Sequence, residues 1–344
     1  MNSKEFFKDK NILYIVHTYS DFQKDPIDEI AKYFNKVYVI VRHKPISSII
    51  GLLPITWLKK YDESLMIDFT NVPKNVEVLK SPVWYLPFGL LYKLSGLFHY
   101  WAVDKVIRKN KIEFDMIHSH FIWSAGYVGM KLKKKYHKPL VVTGHGFDVY
   151  DLPFQDSYWN RIVRKILDST DLILTVSKKN LESLKKLGIK DSNVTVLENG
   201  YDSEIFYPLD KRKVRESLGI KQDDKIVVAV GSLENIKGHK YLIEAISLLQ
   251  KKYKNLKCYI VGGGSLEHKL RVLIKELDLE TKVFLLGHIP HAQVNNWMNA
   301  SDLFVMPSLN EGLPVVMLEA LGCGKPFVGS NVGGIPEVIN SDRY

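Results

Sequence analysis

Two glutamates, Glu311 and Glu319, stand eight residues apart around a turn and give this chain its clearest capacity for binding chemistry. A carboxylate accepts hydrogen bonds from two neighbouring hydroxyl groups, as a sugar ring or a ribose offers them. Gly312 permits a turn that a side chain would block, and Pro314 suits the first position of a helix. The arrangement predicts a sugar at Glu311, a ribose at Glu319 and a phosphate between them. The alternative is a pair of solvated glutamates beside an ordinary strand-to-helix turn.

The elements around this pair would place it at a ligand-binding edge. The apolar run Leu303-Phe304-Val305-Met306 predicts a buried strand, so Glu311 falls in the loop at its C-terminal end, where open α/β sheets bind ligands. A helix over Val315–Leu321 would carry Glu319 about one and a half turns from its start. The N–H groups at the start of such a helix seat a phosphate, and they belong to Leu313, Val315 and Val316.

A lysine turn in the second half of the chain could face the same phosphate. Gly231 and Ser232 follow a predicted strand and lead through Lys237 to a helix predicted over His239–Gln250. The lysine and the helix dipole together could neutralise a diphosphate, whereas the alternative is a solvent-exposed loop lysine. Two further strand ends supply the remaining candidates on this side. Gly262 and Gly263 would let the backbone approach a ligand closely, and the alternative is a tight connection; His288 could wall a base pocket, and the alternative is a plain loop residue.

The first half of the chain has a histidine at a strand end. His145 stands between Gly144 and Gly146, and the nearby Asp148 could orient it or stabilise its charge; the alternative is a histidine satisfied by backbone in a tight turn. His118 and His120 also end a strand, but a metal site needs a third ligand and none is marked, so we predict no metal. No Asp-x-Asp triplet is present in the sequence either.

Strands and helices alternate along all 344 residues, which predicts an α/β fold with two Rossmann-like, doubly wound parallel-sheet domains facing a central cleft. The domain boundary falls in the polar stretch Tyr201–Asp210, so we assign residues 1–205 to the first domain and 206–344 to the second. The predicted strands begin at Asn11, Val37, Met116, Leu140, Leu172, Val194, Lys225, Cys258, Val283, Leu303 and Pro326.

Composition limits the function classes. The two cysteines lack disulfide or metal spacing, and neither a signal peptide nor an apolar run of about 20 residues is present, which predicts a cytoplasmic and non-integral protein. The formal charge is +10, and residues 1–208 carry 30 Lys+Arg against 23 Asp+Glu, so the first domain is the more basic. No nucleic-acid-binding module accompanies the charge, so nucleic acid is not an expected partner.

The chain resembles retaining glycosyltransferases of family four, with the GT-B architecture, over essentially its whole length. The resemblance rests on the order and spacing of Thr143–Asp148, Val176-Ser177, Glu198–Asp202 with Phe206, Gly231–Gly238, Val261–Gly264, and Glu311 with Glu319.

This resemblance implies transfer of a sugar from a UDP- or GDP-sugar with retained configuration, without a bound metal or cofactor. It implies that residues 1–205 form the acceptor-binding domain and residues 206–344 the donor-binding domain. It implies that Lys237 contacts the diphosphate, Glu319 the ribose and Glu311 the transferred sugar. His145 would lie near the anomeric carbon, and Asn199 is a further candidate. In the family the leaving phosphate helps to deprotonate the acceptor, so no protein base is named.

Three departures from the family pattern stand out. Ser232 occupies a position where the family often has arginine, which removes one positive charge from the diphosphate site. The segment His17–Phe22 has no glycine where the family often has a glycine-rich loop. The chain stops at Tyr344, whereas family members usually continue with further elements, so we expect a shortened second domain.

Two apolar, aromatic segments of the basic domain suggest a lipid-linked or cell-surface glycan precursor as acceptor. They span Ile46–Leu58 and Trp84–Trp101. Such segments suit peripheral contact with an anionic membrane at its inner face, although packing of helices onto the sheet is the alternative.

Rival functions remain open from the sequence. One is a non-hydrolysing nucleotide-sugar epimerase of the same architecture, and another is a non-catalytic subunit that binds a nucleotide sugar. A NAD-dependent dehydrogenase is more distant, because no Gly-x-Gly-x-x-Gly fingerprint follows the first strand.

Overall fold

The computed structural model describes residues 3–43, 66–83 and 89–339. It divides into two compact units, Met1–Glu198 and Asn199–Tyr344. The apolar segment Ile46–Leu58, the first residues of Trp84–Trp101 and the last five residues of the chain lie outside the described residues, and the predictions made for them remain predictions.

The first unit is built on a seven-stranded sheet in which every pair of neighbours is parallel. Its order is β3-β2-β1-β4-β5-β6-β7. The strands are β1 Asn11–Val16, β2 Lys36–His43, β3 Val76–Pro82, β4 Met116–His120, β5 Leu140–Gly144, β6 Leu172–Thr175 and β7 Val194–Val196.

Helices cover both faces of this sheet because the strand order reverses at β1. Right-handed crossovers then place the helix after β1 on one face and the helices that precede β4, β5, β6 and β7 on the other. Separate cores form on the two faces, one with Ile27 against Tyr14 and the other with Val103 and Val163 against Ile117. The helices are α1 Ser3–Phe6, α2 Asp21–Ala31, α3 Gly89–Lys109, α4 Tyr127–Tyr136, α5 Phe147–Tyr150, α6 Ser157–Asp168 and α7 Lys178–Lys186.

The second unit has a five-stranded parallel sheet of order β10-β9-β8-β11-β12. Its strands are β8 Lys225–Val230, β9 Leu256–Val261, β10 Val283–Gly287, β11 Leu303–Met306 and β12 Phe327–Gly329. Its helices are α8 Lys211–Ser217, α9 His239–Leu249, α10 Glu267–Glu276, α11 His291–Ala300, α12 Val315–Gly322 and α13 Ile335–Val338.

The predicted fold class, two doubly wound parallel-sheet units, is confirmed. One strand was missed. β3 carries Glu77 and Lys80 among its apolar residues and pairs only with β2 within the described residues, with Glu77 in an ion pair with Lys36. An edge strand tolerates such charges, so it lacks the continuous apolar run that marks a central parallel strand.

Candidate functional site

The candidate site of the second unit lies at the edge where its strand order reverses. Chain connections run from β8 outward through β9 to β10, and then return to β11 on the other side of β8. The loops that follow β8 and β11 therefore leave neighbouring strand ends at the point of reversal, which is where open α/β sheets bind ligands. Lys237 is on the first of these loops and Glu311 on the second.

Backbone contacts hold the loop that carries Lys237 against the loop that carries Glu311. Asn235–Lys237 forms a short 3₁₀ turn, and Gly238 follows it with φ +63°. A Cβ at Gly238 would lie 2.0 Å from the carbonyl oxygen of Pro307, so the two loops approach too closely for any side chain there. The N–H of Leu309 also donates to the carbonyl of Ile236 at 2.8 Å.

This packing brings Lys237 and Glu311 together across 74 residues of sequence. Lys237 Nζ lies 2.6 Å from Glu311 Oε1, and the Ser308 hydroxyl donates to the same oxygen at 2.7 Å. Glu311 is 7% exposed and Ser308 2%. Within the described residues both bonds fall on Oε1, which leaves Oε2 for a ligand. The ammonium group keeps two further N–H donors for an anion.

The loop from Glu311 to α12 is held from both sides. The side-chain amide of Asn199 donates to the carbonyl of Leu313 at 2.7 Å. Gly333 has φ +56°, and a Cβ there would lie 2.0 Å from the carbonyl oxygen of Glu311. The prediction that Pro314 is the first helical residue was wrong by one position: its ψ of 118° is extended, so it caps the helix and Val315 begins it. Leu313 is buried, and Val315 and Val316 are half-buried at the helix start.

The glycine turns after β8 and β9 pack against each other. Gly262 has φ +137°, and a Cβ there would lie 2.0 Å from the carbonyl oxygen of Gly231. Leu233 donates its N–H to the carbonyl of Gly263 at 2.9 Å. Ser232 is exposed on this turn, and His288 is exposed after β10.

Glu319 lies inside the unit, with 4% of its surface exposed. Its Oε1 is 2.7 Å from Nε2 of His291, in the first turn of α11. Sequence reasoning found Glu319 but missed His291, because a separation of 28 residues between two helices leaves no spacing signal. Ser308 was not among the predicted site residues either.

In the first unit His145 belongs to a cluster of rings at the C-terminal ends of β1, β4 and β5. Its Nε2 lies 3.2 Å from Nδ1 of His120, and its ring centroid is 4.7 Å from that of Phe121. His17 stacks on Phe121 with centroids 4.9 Å apart and planes 6° from parallel. The cluster therefore includes His17, from the glycine-free loop after β1. This loop was noted in the sequence, but His17 was not named as a candidate residue.

Asp148 orients His145 through the backbone and not through the imidazole ring. Its Oδ1 accepts from the N–H groups of His145 and Gly146, at 3.2 and 2.9 Å, and its Oδ2 accepts from the N–H of Ile122 at 2.8 Å. Within the described residues, the hydrogen bonds of Asp148 go to these backbone N–H groups and none goes to the imidazole ring, so the predicted charge stabilisation of the ring has no contact to support it. The N–H groups of two loops converge there, and a buried carboxylate is the acceptor that satisfies them.

Burial sets the protonation of this cluster. It lowers the pKa of His145 and of His118 well below the usual value, and it lowers the pKa of His120 to about 4. Burial raises the pKa of Asp148, opposed by its backbone hydrogen bonds. His145 is therefore a neutral hydrogen-bonding ring near neutral pH, not a cation.

Two features are absent from residues 3–43, 66–83 and 89–339. None of the helices described there is long and apolar enough to cross a membrane. Over the same ranges, no three or more His, Cys, Asp or Glu side chains are grouped so that they could hold a metal ion.

Two protein-family models match the chain: Glycosyltransferase Family 4 matches residues 62–205, and Glycosyl transferases group 1 matches residues 210–343. A Bacillus subtilis protein that bears the name teichuronic acid biosynthesis glycosyltransferase TuaC is 31% identical over 245 residues. This match covers 71% of the chain but only 60% of the relative's own length.

Solved structures agree in fold. HepE of Anabaena in complex with UDP-glucose superposes with a TM-score of 0.69 at 21% identity, over 96% of this chain and 82% of that one. Sucrose-phosphate synthase of Thermosynechococcus elongatus gives a TM-score of 0.74 at 21% identity, over 95% of this chain and 84% of that one. With the two family matches, these likenesses show that the chain belongs to the GT-B glycosyltransferases, with a Family 4 first half and a group 1 second half.

Proposed function

We propose that this chain transfers a hexose-type sugar from a nucleoside diphosphate sugar to a glycan or lipid-linked acceptor, with retained configuration and without a bound metal or cofactor. The observation that carries the proposal is the Lys237–Glu311 pair at the strand-order reversal, beside the start of α12. A cation and a buried carboxylate held 2.6 Å apart match a ligand in which a diphosphate adjoins a polyhydroxylated ring.

Each group then has a distinct task. Lys237 and the N–H groups of Leu313, Val315 and Val316 would bind the diphosphate and stabilise the charge that develops on it as the sugar departs. Glu311 would accept hydroxyl groups of the transferred sugar through Oε2, and Glu319 would accept those of the ribose. His145, as a neutral ring, would donate or accept one hydrogen bond near the anomeric carbon.

The HepE structure contains UDP-glucose, which supports a uridine donor over a guanosine one. We expect UDP-glucose or another UDP-sugar to raise the melting temperature of this protein by several degrees, because a ligand that binds only the folded state stabilises it. The measurement is a thermal-shift series with UDP-, GDP- and ADP-sugars at millimolar concentration. A flat response to all three classes would contradict the donor assignment.

Incubation with labelled nucleotide sugar and a membrane extract distinguishes transfer from its rivals. Label that moves to an acceptor supports the proposal. An epimerised donor would show the isomerase, and bound but unchanged donor would show a binding subunit.

We also propose that the first unit contacts an anionic membrane that carries the acceptor. The Bacillus subtilis relative is named for teichuronic acid biosynthesis, which supports an acceptor in glycan synthesis. Helix α3 leaves Leu91, Leu94 and Trp101 exposed by 43%, 38% and 54% on one side. Exposed basic residues stand on the helices of the same sheet face, namely Lys105, Lys134, Arg161, Arg164 and Lys165.

The combined replacement Leu91→Ser, Leu94→Ser and Trp101→Ser should weaken sedimentation with phosphatidylglycerol vesicles by about tenfold, because it removes the apolar area that would enter the interface. Leu248→Ser, at a position 75% exposed on α9, is the matched control and should sediment like wild type. Equal sedimentation of wild type and triple variant, or no sedimentation of wild type at low salt, would exclude this membrane surface.

A further inference from the structure

The buried carboxylate of Glu319 has one side-chain partner within the described part of the chain, the imidazole of His291. The Glu319 side chain is 5% exposed and that of His291 29%. A buried carboxylate is costly unless its oxygens are hydrogen-bonded, so this contact does more than join two surface groups. It occupies Oε1, and Oε2 remains for a second donor.

His291 is itself held in place. Its ring lies against Phe206, with centroids 4.8 Å apart and planes tilted by 55°, and Phe206 is 1% exposed. One helical turn after the His291–Glu319 contact, Cys323 Sγ lies 3.1 Å from Oδ1 of Asn295. Because residues four apart share one helix face, these two contacts fix α11 against α12 along matching faces. The imidazole therefore reaches Glu319 from a rigid support.

We propose that His291 is the positioning residue that turns Glu319 toward the ribose of the donor and so sets the preference for ribose over deoxyribose. The inference rests on the proposed function, in which Glu319 accepts the ribose hydroxyl groups. By bonding Oε1, His291 fixes the plane of the carboxylate and presents Oε2 to the 2′- and 3′-hydroxyls. Without the imidazole the carboxylate would be free to rotate about its side-chain bonds, and its bonds to the diol would lose their fixed geometry.

Two replacements separate this role from simple packing between the helices. His291→Phe keeps a ring against Phe206 but removes the N–H donor. His291→Gln keeps an N–H donor at a similar reach. His268→Phe, at an exposed histidine of α10, is the matched control.

The experiment titrates each purified protein with UDP and GDP and with their 2′,3′-dideoxy forms by calorimetry. We expect wild type to bind the ribose form of its nucleotide at least about tenfold more tightly than the dideoxy form, since each lost hydrogen bond to a charged group costs a factor of that order. His291→Phe should bring this ratio close to one by weakening the ribose form alone. His291→Gln should retain most of the ratio, and Glu319→Gln should lose it.

The outcomes distinguish this inference from its premise. If wild type and Glu319→Gln behave as expected but His291→Phe keeps the wild-type ratio, the positioning role is wrong and the proposed function stands. Equal weakening of both sugar forms in His291→Phe, with a lower melting temperature, would show a structural contact only. If wild type binds neither nucleotide, or binds ribose and dideoxy forms equally, the ribose assignment of Glu319 fails and this inference fails with it.

Discussion

Replacing Lys237 by methionine is expected to lower the rate of sugar transfer by about a hundredfold to a thousandfold, the range found when a group that stabilises developing charge is removed. Lys237 should carry a larger share of this task than usual, because Ser232 supplies no charge where the family often has arginine. The assay follows labelled sugar from the donor into a membrane-extract acceptor, at saturating donor so that the chemical step is observed.

Loss of stability must be separated from loss of catalysis in this variant. Glu311 is 7% exposed and would be left with Ser308 alone, and breaking a buried ion pair can cost about 3–5 kcal/mol. The double variant Lys237→Met and Glu311→Gln removes both charges, so it should recover most of the lost stability while remaining inactive. Lys240→Met, at an exposed lysine of α9, should match wild type in both measurements. Transfer at the wild-type rate by Lys237→Met would exclude the proposed role.

The sequence predicted the second unit well because its central strands have an unambiguous pattern. β8 and β11 are almost continuously apolar, as strands buried on both faces must be, and a glycine-rich turn follows β9. Edge strand β3 lacked that pattern. Loop position at strand ends was therefore sufficient to nominate Lys237 and Glu311 as ligand contacts.

Side-chain partners could not be read in the same way. The Lys237–Glu311 contact depends on the close approach of Gly238 to Pro307, and the His291–Glu319 contact depends on the packing of α11 on α12. Neither of these packing contacts produces a repeating pattern in the sequence from which it could be predicted. Asp148 is the opposite case, in which closeness in sequence was misleading. Its position near His145 suggested a contact with the imidazole ring, but three backbone N–H groups bind both of its carboxylate oxygens.

The first unit is expected to lose stability steeply as the pH falls from about 6.5 to about 5, since several of its histidines are buried and uncharged. Burial lowers their pKa, with added repulsion from Arg42 at two of them and from neighbouring histidines. The unfolded chain takes up protons below the ordinary value of 6.5, whereas the folded unit does not, so falling pH favours the unfolded state. The residues concerned are His17, His99, His118, His120 and His145.

The size of the effect can be bounded from His120. Its pKa of about 4 in the folded unit, against 6.5, corresponds to about 3 kcal/mol of stability that is present above pH 6.5 and lost as the pH falls to the folded value. Asp148 acts in the opposite direction, because burial raises its pKa and the folded unit takes up that proton first. Because one carboxyl group opposes several histidines, the first unit loses stability overall when the pH falls.

Urea unfolding followed by tryptophan fluorescence measures this in the intact chain, because five of the six tryptophans precede residue 199 and report mainly on the first unit. His120→Asn removes one titrating ring. The free energy of unfolding of this variant should therefore fall less steeply with falling pH than that of wild type, by up to about 1.4 kcal/mol per pH unit. His137→Gln, at an exposed histidine after α4, is the matched control. If stability is constant or rises between pH 6.5 and 5, the rings are not held neutral. His145 would then be available as a cation at the transferred sugar, and its assignment as a neutral hydrogen-bonding ring would have to be abandoned.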